Sequence, residues 1–171
     1  SNSLCTAIIT AEDLESKFKS LNEKPFAVYI TSPDYLGAVT DIKSLSAVCK
    51  KYDVPLLVDN AHGAYSAFLK EAFHPILSGA DMCCDSAHKT LPALTGCGYL
   101  HIGKNDRFGF SENVHNALTV FGTSSPSYLM LQSQLFPPCY PSCCPSFSDL
   151  QFSQCPPWLH MPPALHKLLS K

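Results

Sequence analysis

Two short polar clusters follow two of the apolar stretches of this sequence. The first is Val-Asp-Asn-Ala-His-Gly at 58–63, and the second is Asp-Ser-Ala-His-Lys-Thr at 85–90. Charged side chains are rarely buried without a partner, so a carboxylate at Asp59 and an amine at Lys89, each at the end of an apolar run, are an unusual combination. A deprotonated lysine amine can form an imine with an aldehyde, and a carboxylate can keep a ring nitrogen protonated. Both groups are what a pyridoxal phosphate (PLP) site requires.

Each of these polar residues also has a simpler interpretation. A lysine in a loop is usually solvated, and Asp59 could be the N-cap of a following helix. His62 could pair with a backbone carbonyl instead of a ligand. Ser86 and Thr90 could satisfy only the amides of a turn or a helix start. The PLP interpretation depends on finding Lys89 and Asp59 together.

Other polar residues fit structural roles more simply. His74, which precedes Pro75, is expected to be structural. Asp34 and Asp85 both fit local turn or helix-start positions. No acidic residue can therefore be assigned to the recognition of a substrate.

Residues from about Ala7 to about Ser133 alternate apolar strand runs with amphipathic helical stretches, which is typical of an α/β fold. Helical periodicity predicts one helix capped by Thr10, a second capped by Thr40 and another that starts at Ser111. The continuous apolar strands predict a mostly parallel sheet covered by helices on both faces. Ligands of such sheets bind beyond the carboxyl ends of the strands. The predicted strands are Phe26–Thr31, Pro55–Asp59, Met82–Asp85 and Gly98–Ile102.

The composition excludes several classes of protein. The chain has 171 residues, 46% of them hydrophobic, which is enough for the core of one domain. A net charge of -2 provides no basic field for nucleic acid. No apolar run is long enough to cross a membrane, and the N-terminus does not resemble a secretory signal. Nine cysteines, an odd number, then indicate a reducing compartment, and we expect the cytoplasm.

The last part of the chain has a different character. Residues 134–171 are rich in proline, cysteine and serine and show little periodicity, which predicts a low-complexity, disordered tail. Its cysteines and histidines do not have the paired spacing of a zinc site, so no metal is predicted. Its prolines lack the flanking basic residue of a convincing motif for SH3- or WW-type modules. The predicted division is therefore a globular region at 1–133 and a tail at 134–171.

Several motifs, in one order and with sensible spacing, resemble the bacterial-type ornithine/lysine/arginine decarboxylases. These are PLP enzymes of fold type I, the aspartate-aminotransferase-like fold. The resemblance covers roughly the first three quarters of the chain and implies part of the large, PLP-binding domain. The matching segments are 29–37, 58–63, 74–75, 79–81, 86–91, Thr95, 98–101 and 122–128.

The resemblance implies roles for the residues around the cofactor ring. Lys89 resembles the Schiff-base lysine, and Asp59 resembles the partner of the pyridine nitrogen. Ala61 would pack beneath the ring, and His62 would lie near its hydroxyl edge or the substrate. The implied reaction releases carbon dioxide from ornithine, lysine or arginine, as in polyamine metabolism, with Lys89 and His62 as catalytic residues.

The resemblance also implies how the phosphate is held and how the chain assembles. Ser86 and His88 would bind the cofactor phosphate. Thr123 and Ser124 belong to a stretch that reaches the phosphate of a neighbouring subunit, so the family resemblance implies a homodimer or a higher homo-oligomer. The substrate is a small basic amino acid, and neither nucleic acid nor a membrane is an expected partner.

The sequence also departs from the family. The phosphate loop and the ring-stacking aromatic or histidine of the family have no counterpart upstream of Phe26, and the small C-terminal domain is absent. The chain is therefore expected to be an incomplete form. Two alternatives stay open: another fold-type-I activity such as an aminotransferase, and an inactive fragment that associates with a full-length homologue.

Overall fold

A four-stranded sheet organises the part of the chain that the computed structural model describes, which comprises residues 9–69, 71, 73–122, 125 and 127–135. The strands lie side by side in chain order, the first three parallel and the fourth antiparallel. This arrangement confirms the predicted α/β class with a mostly parallel sheet. The strands are β1 (Val28–Thr31), β2 (Leu56–Asp59), β3 (Met82–Ser86) and β4 (Gly98–Ile102).

Five α-helices and one short 3-10 helix accompany these strands within the described residues. They are α1 (Ala11–Ser20), α2 (Ile42–Lys51), α3 (Ala87–Thr90), α4 (Phe110–Phe121) and α5 (Tyr128–Leu135), with the 3-10 helix at Ala64–Phe68. None of the helices in these ranges is both long and apolar enough to span a bilayer.

The parallel pairing places the two polar clusters at the same edge of the sheet. Thr31 pairs with Asp59, and Asp59 pairs with Cys84, so β1, β2 and β3 end close together. The clusters at 59–63 and 85–90 begin at these carboxyl ends. The polar residues therefore lie at the carboxyl ends of the parallel strands, where the sequence predicts a ligand site.

The first two helices begin at side-chain caps. Thr10 and Asp13 form the predicted capping box of α1, in which each side chain accepts from the backbone amide of the other residue. The prediction that Thr40 caps α2 is wrong by one residue. Asp41 is the N-cap, because its carboxylate accepts from the Ser44 amide at 3.1 Å.

The core lies between α1, α2 and one face of the sheet. Leu45 and Cys49 of α2 are buried against Leu56 and Val58 of β2, with Leu14 and Phe18 of α1 completing the same cluster. The helical and strand periodicities of the sequence place these residues on facing surfaces.

The opposite face of the sheet carries exposed side chains, so the prediction that helices cover both faces is wrong for the described residues. Tyr29 is 64% exposed, and Thr31 and Cys84 are exposed as well. The helices that form the core, α1 and α2, pack on the face of Leu56 and Val58. Side chains alternate along a strand, so the neighbouring residues point to the face without that cover.

Helix α4 begins at Phe110, one residue before the predicted start, and none of its residues is buried. Phe121 is 89% exposed and Leu118 is also exposed, although the sequence periodicity places both on one apolar face. Helix α5 is attached to the sheet by hydrogen bonds, including one from Tyr99 Oη to the Gln134 carbonyl at 2.7 Å. Residues 136–171 lie outside the described part of the chain, and so does most of the predicted tail.

Candidate active site

The structure brings Lys89 and His62 into contact although 27 residues separate them in the sequence. Lys89 lies in α3, the single helical turn that follows β3, and its Nζ is 3.0 Å from Nε2 of His62. His62 lies in the turn after β2 and is half-buried, whereas Lys89 is exposed. One of the two nitrogens donates and the other accepts, so the amine and the imidazole are joined by one hydrogen bond.

Asp59 ends β2 with its carboxylate held by two donors. Oδ1 accepts from the Ala61 amide at 3.0 Å, and Oδ2 accepts from Tyr29 Oη at 3.3 Å. Partial desolvation of the phenol, followed by the negative charge of Asp59, raises the pKa of Tyr29, so the hydroxyl stays protonated and donates. Asp59 is therefore not the N-cap of an α-helix, because the 3-10 helix that follows is capped by Gly63.

An aromatic side chain stands beside the Lys89–His62 pair. The ring of Tyr35 lies edge-on to the imidazole of His62, with the centroids 5.7 Å apart and an angle of 64° between the planes. Tyr35 is itself 88% exposed. It belongs to the loop after β1, so the segments that follow β1, β2 and β3 all contribute to this region.

Of the four residues predicted to hold phosphate, the structure describes Ser86 and His88. Ser86 is the N-cap of α3 but makes no side-chain capping hydrogen bond. His88 directs Nδ1 to the Cys97 carbonyl at 3.2 Å, so that nitrogen is a donor. Thr123 and Ser124 lie outside the described residues. The phosphate-binding roles of all four residues stay predictions.

Asp85 is the main residue that the sequence interpretation misplaced. It is not a local turn or helix-start residue but a buried carboxylate, 6% exposed, that accepts three hydrogen bonds. Asn60 Nδ2 donates to Oδ1 at 2.6 Å, and Nε2 of His101 and Nε2 of His74 donate to Oδ2 at 2.9 and 3.1 Å. The structural role expected for His74 is confirmed, because it is fully buried in this cluster.

The hydrogen bonds determine the charge state of Asp85. Burial raises the pKa of its carboxyl, but the hydrogen bonds from His101 and His74 outweigh burial and hold the pKa well below the usual range. Strand alternation could have indicated this environment: Cys83 and Asp85 share one face of β3, and Cys83 belongs to the apolar core.

The same cluster is the place where a metal ion would find ligands among the described residues. His74, Cys83 and Asp85 offer ligand atoms within 4.8 Å of one another. Burial, followed by the charge of Asp85, raises the pKa of the Cys83 thiol far above its ordinary value, so the sulfur is a protonated thiol. With three donors on the Asp85 carboxylate as well, the cluster is a hydrogen-bonded network in this structure.

A cavity of about 330 Å³ lies at the opposite edge of the sheet from Lys89. It is lined by the segment before β3 and the segment after β4, including Asp81 and Arg107. These two side chains form a bidentate ion pair with both contacts at 3.1 Å. None of the residues of the two polar clusters at 58–63 and 85–90 lines this cavity.

A family model and several curated relatives point to the same protein family. The major domain of the Orn/Lys/Arg decarboxylases matches residues 4–135. The uncharacterized protein YaaO of Bacillus subtilis (strain 168) is 39% identical over 106 residues, which are 61% of this chain and 22% of that protein. An arginine decarboxylase of the same organism is 34% identical over 123 residues, or 70% of this chain and 25% of that protein.

Among solved structures, mouse CSAD superposes with a TM-score of 0.52 at 23% identity, covering 71% of this chain and 26% of that one. This likeness shows that the two chains share a mixed α/β fold. The chain belongs to the Orn/Lys/Arg decarboxylase family. It spans about a quarter of the length of the curated relatives that it matches.

The residues at the carboxyl edge fit PLP chemically. Lys89 supplies an amine beside a proton acceptor, and Asp59 supplies a carboxylate on the sheet face that Tyr29, Thr31 and Cys84 leave accessible. A covalent lysine and a carboxylate partner for the ring nitrogen are the two groups that this cofactor needs most.

Proposed function

We propose that this chain is part of an enzyme that decarboxylates a basic amino acid, either ornithine, lysine or arginine, with PLP covalently linked to Lys89. The observation that carries the proposal is the 3.0 Å contact between Lys89 Nζ and His62 Nε2 in a member of this family. The arginine decarboxylase of Bacillus subtilis among the relatives supports the substrate class.

In this proposal Lys89 is the residue that binds the cofactor. Its amine must lose a proton before it can attack an aldehyde. His62 Nε2 lies within hydrogen-bond distance of Lys89 Nζ and can accept that proton, then return it to the amine or to the substrate. Lys89 and His62 are therefore the proposed catalytic residues.

Asp59 would hold the ring nitrogen of the cofactor in its protonated form. Its carboxylate is fixed by the Ala61 amide and the Tyr29 hydroxyl, so it can accept a further N–H without reorientation. When bound, PLP supplies an electron sink for the negative charge that forms as the carboxylate of the amino acid leaves. Ala61, next but one to Asp59, would pack beneath the ring.

The remaining contacts of the cofactor are proposed from the family resemblance. Ser86 and His88 flank the start of α3 and would hold the phosphate, and Thr123 and Ser124 would reach the phosphate of a neighbouring subunit in a homodimer or higher homo-oligomer. We also expect the enzyme to work in the cytoplasm, where its four described cysteines, all free, would stay reduced.

An inactive chain that associates with a full-length homologue is a second candidate. The exposed face of the sheet around Tyr29 and the unburied apolar side chains of α4 favour it, because such surfaces usually have a partner. An aminotransferase would use Lys89 and Asp59 in the same way and would differ in how the site orients the bonds of the substrate's α-carbon.

Release of carbon dioxide separates these possibilities. The purified chain with PLP is offered ornithine, lysine and arginine in turn, beside Lys89→Ala and a control, Lys43→Ala, which removes an exposed lysine of α2. The proposal predicts release from one of the three amino acids by the wild type and the control only. Equal release by Lys89→Ala contradicts the role of Lys89, and a keto acid product without carbon dioxide favours an aminotransferase. Activity that appears only after mixing with a homologue favours association.

A further inference from the structure

The two segments that carry the proposed catalytic residues are joined beneath the sheet by a buried hydrogen bond. Asn60 follows Asp59, and Asp85 lies four residues before Lys89. Asn60 Nδ2 donates to Asp85 Oδ1 at 2.6 Å, and both side chains are buried. The Asn60 amide also donates to the Cys84 carbonyl at 2.9 Å, so backbone and side chain join the same two segments.

Asp85 is held from the other side by two imidazoles. His74 and His101 both donate through Nε2 to Oδ2. The Ile76 amide donates to Nδ1 of His74 at 3.4 Å, so the ring is held with Nε2 toward the Asp85 carboxylate. Because donors from three separate segments fix the carboxylate, it has a single orientation for Asn60.

Asn60 is equally restrained by the turn that contains His62. A methyl group on Gly63 would collide with Asn60 Oδ1 and would come within 2.6 Å of Pro33 Cδ. The Gly63 amide donates to the Asn60 carbonyl at 2.9 Å. The side chain of Asn60 therefore packs against the backbone of Gly63, and His62 lies inside a turn whose two ends are both held.

We propose that the Asn60–Asp85 pair is a positioning device that sets the distance between His62 and Lys89. The pair holds the turn at 60–63 against the junction between β3 and α3. Within the described residues neither side chain is hydrogen-bonded to Lys89 or His62, so both are positioning residues. The value of this device for catalysis rests on the proposed function, whereas its effect on the His62–Lys89 contact does not.

The test measures that contact in the chain without any cofactor. A nuclear Overhauser effect (NOE) between the ε-methylene protons of Lys89 and the ring protons of His62 reports the 3.0 Å contact between their nitrogens. The variants are Asp85→Asn and Asn60→Ala. Ser46→Ala is the control, because it removes another buried hydrogen bond, from Ser46 Oγ to the Gly79 carbonyl at 2.6 Å, far from Lys89.

We expect the NOE to fall several-fold in both variants and to persist in Ser46→Ala. The affinity for PLP should fall at least about tenfold in parallel, since a misplacement of about 1 Å is enough to impair a reacting pair. If Asp85→Asn does not fold, Asn60→Ala decides the question, because it leaves Asp85 with both imidazole donors.

An unchanged NOE in Asn60→Ala, or an equal loss in Ser46→Ala, would overturn the inference. A wild-type chain that shows the NOE but does not bind PLP would contradict the proposed function alone. The NOE intensities of the variants would still test the positioning role of Asn60 and Asp85, so the two failures are distinguishable.

Discussion

Replacing Asp85 by asparagine should destabilise the folded chain by about 3 kcal/mol. The carboxylate accepts hydrogen bonds from Asn60, His74 and His101, and a hydrogen bond to a charged group contributes about 1.5–3 kcal/mol. An asparagine side chain has one acceptor oxygen, so at least one of the three donors would face an amide N–H₂ group. The other two bonds would survive without the charge. The substitution also removes the cost of burying a charged group, which offsets part of this loss.

The assay is urea unfolding of the wild type, Asp85→Asn and the control Ser46→Ala. The control loses one neutral hydrogen bond and should cost about 1 kcal/mol. A change in the midpoint of unfolding with an unchanged slope gives the difference in the free energy of unfolding.

The pH dependence of this difference is a sharper check. The pKa of Asp85 is lower in the folded chain than its ordinary value, so its contribution is fully present above the unfolded pKa of about 3.9. It is lost as the pH falls below that value toward the folded pKa. The gap between wild type and Asp85→Asn should not shrink between about pH 7 and 5, and should shrink below about pH 4. A gap no larger than that of Ser46→Ala, or one that already shrinks above about pH 5, would refute this reasoning.

Four further substitutions, each measured by urea unfolding, test the core with an exposed control, a helix cap and a tight turn. Leu45→Ala, in the core beneath the sheet, should cost about 2–5 kcal/mol, whereas Leu36→Ala, 70% exposed, should change stability by less than about 0.5 kcal/mol; similar losses would contradict the assigned core. Thr10→Ala should cost about 1 kcal/mol because it removes the capping box of α1, and no loss would mean that the cap is not formed in solution. Gly63→Ala should cost about 2 kcal/mol, because the added methyl group meets Pro33 and Asn60; a neutral effect would show that the turn can relax.

The sequence was sufficient to predict the four strands, because each is a short apolar run bounded by polar or turn residues. Gly98–Ile102 matches the structure at both ends, and the other three differ by one or two residues. Phe26, included in the first predicted strand, is 89% exposed and precedes the pairing with β2. Apolar composition identifies a strand, but the hydrogen-bonding partner decides where it ends.

Contacts between distant residues were harder to predict than the elements themselves. The motif order predicted that Lys89 and His62 belong to one site, and the structure places them 3.0 Å apart. Nothing local in the sequence connects Asp85 with His74 and His101, because the cluster forms only when β3 and β4 pair. Cys84 is exposed although it lies within the apolar run of β3, since burial depends on which face the helices cover.

The most direct test of the central claim is a covalent link between PLP and Lys89. The chain is mixed with PLP, its visible absorbance is recorded, borohydride is added, and the labelled peptide is identified by mass spectrometry. Lys89→Ala and the control Lys43→Ala are treated in the same way. The account predicts an absorbance band that borohydride removes and a cofactor label on the peptide containing Lys89, in the wild type and in Lys43→Ala but not in Lys89→Ala. Equal labelling of other lysines in the wild type and both variants, with no preference for Lys89, would contradict the account.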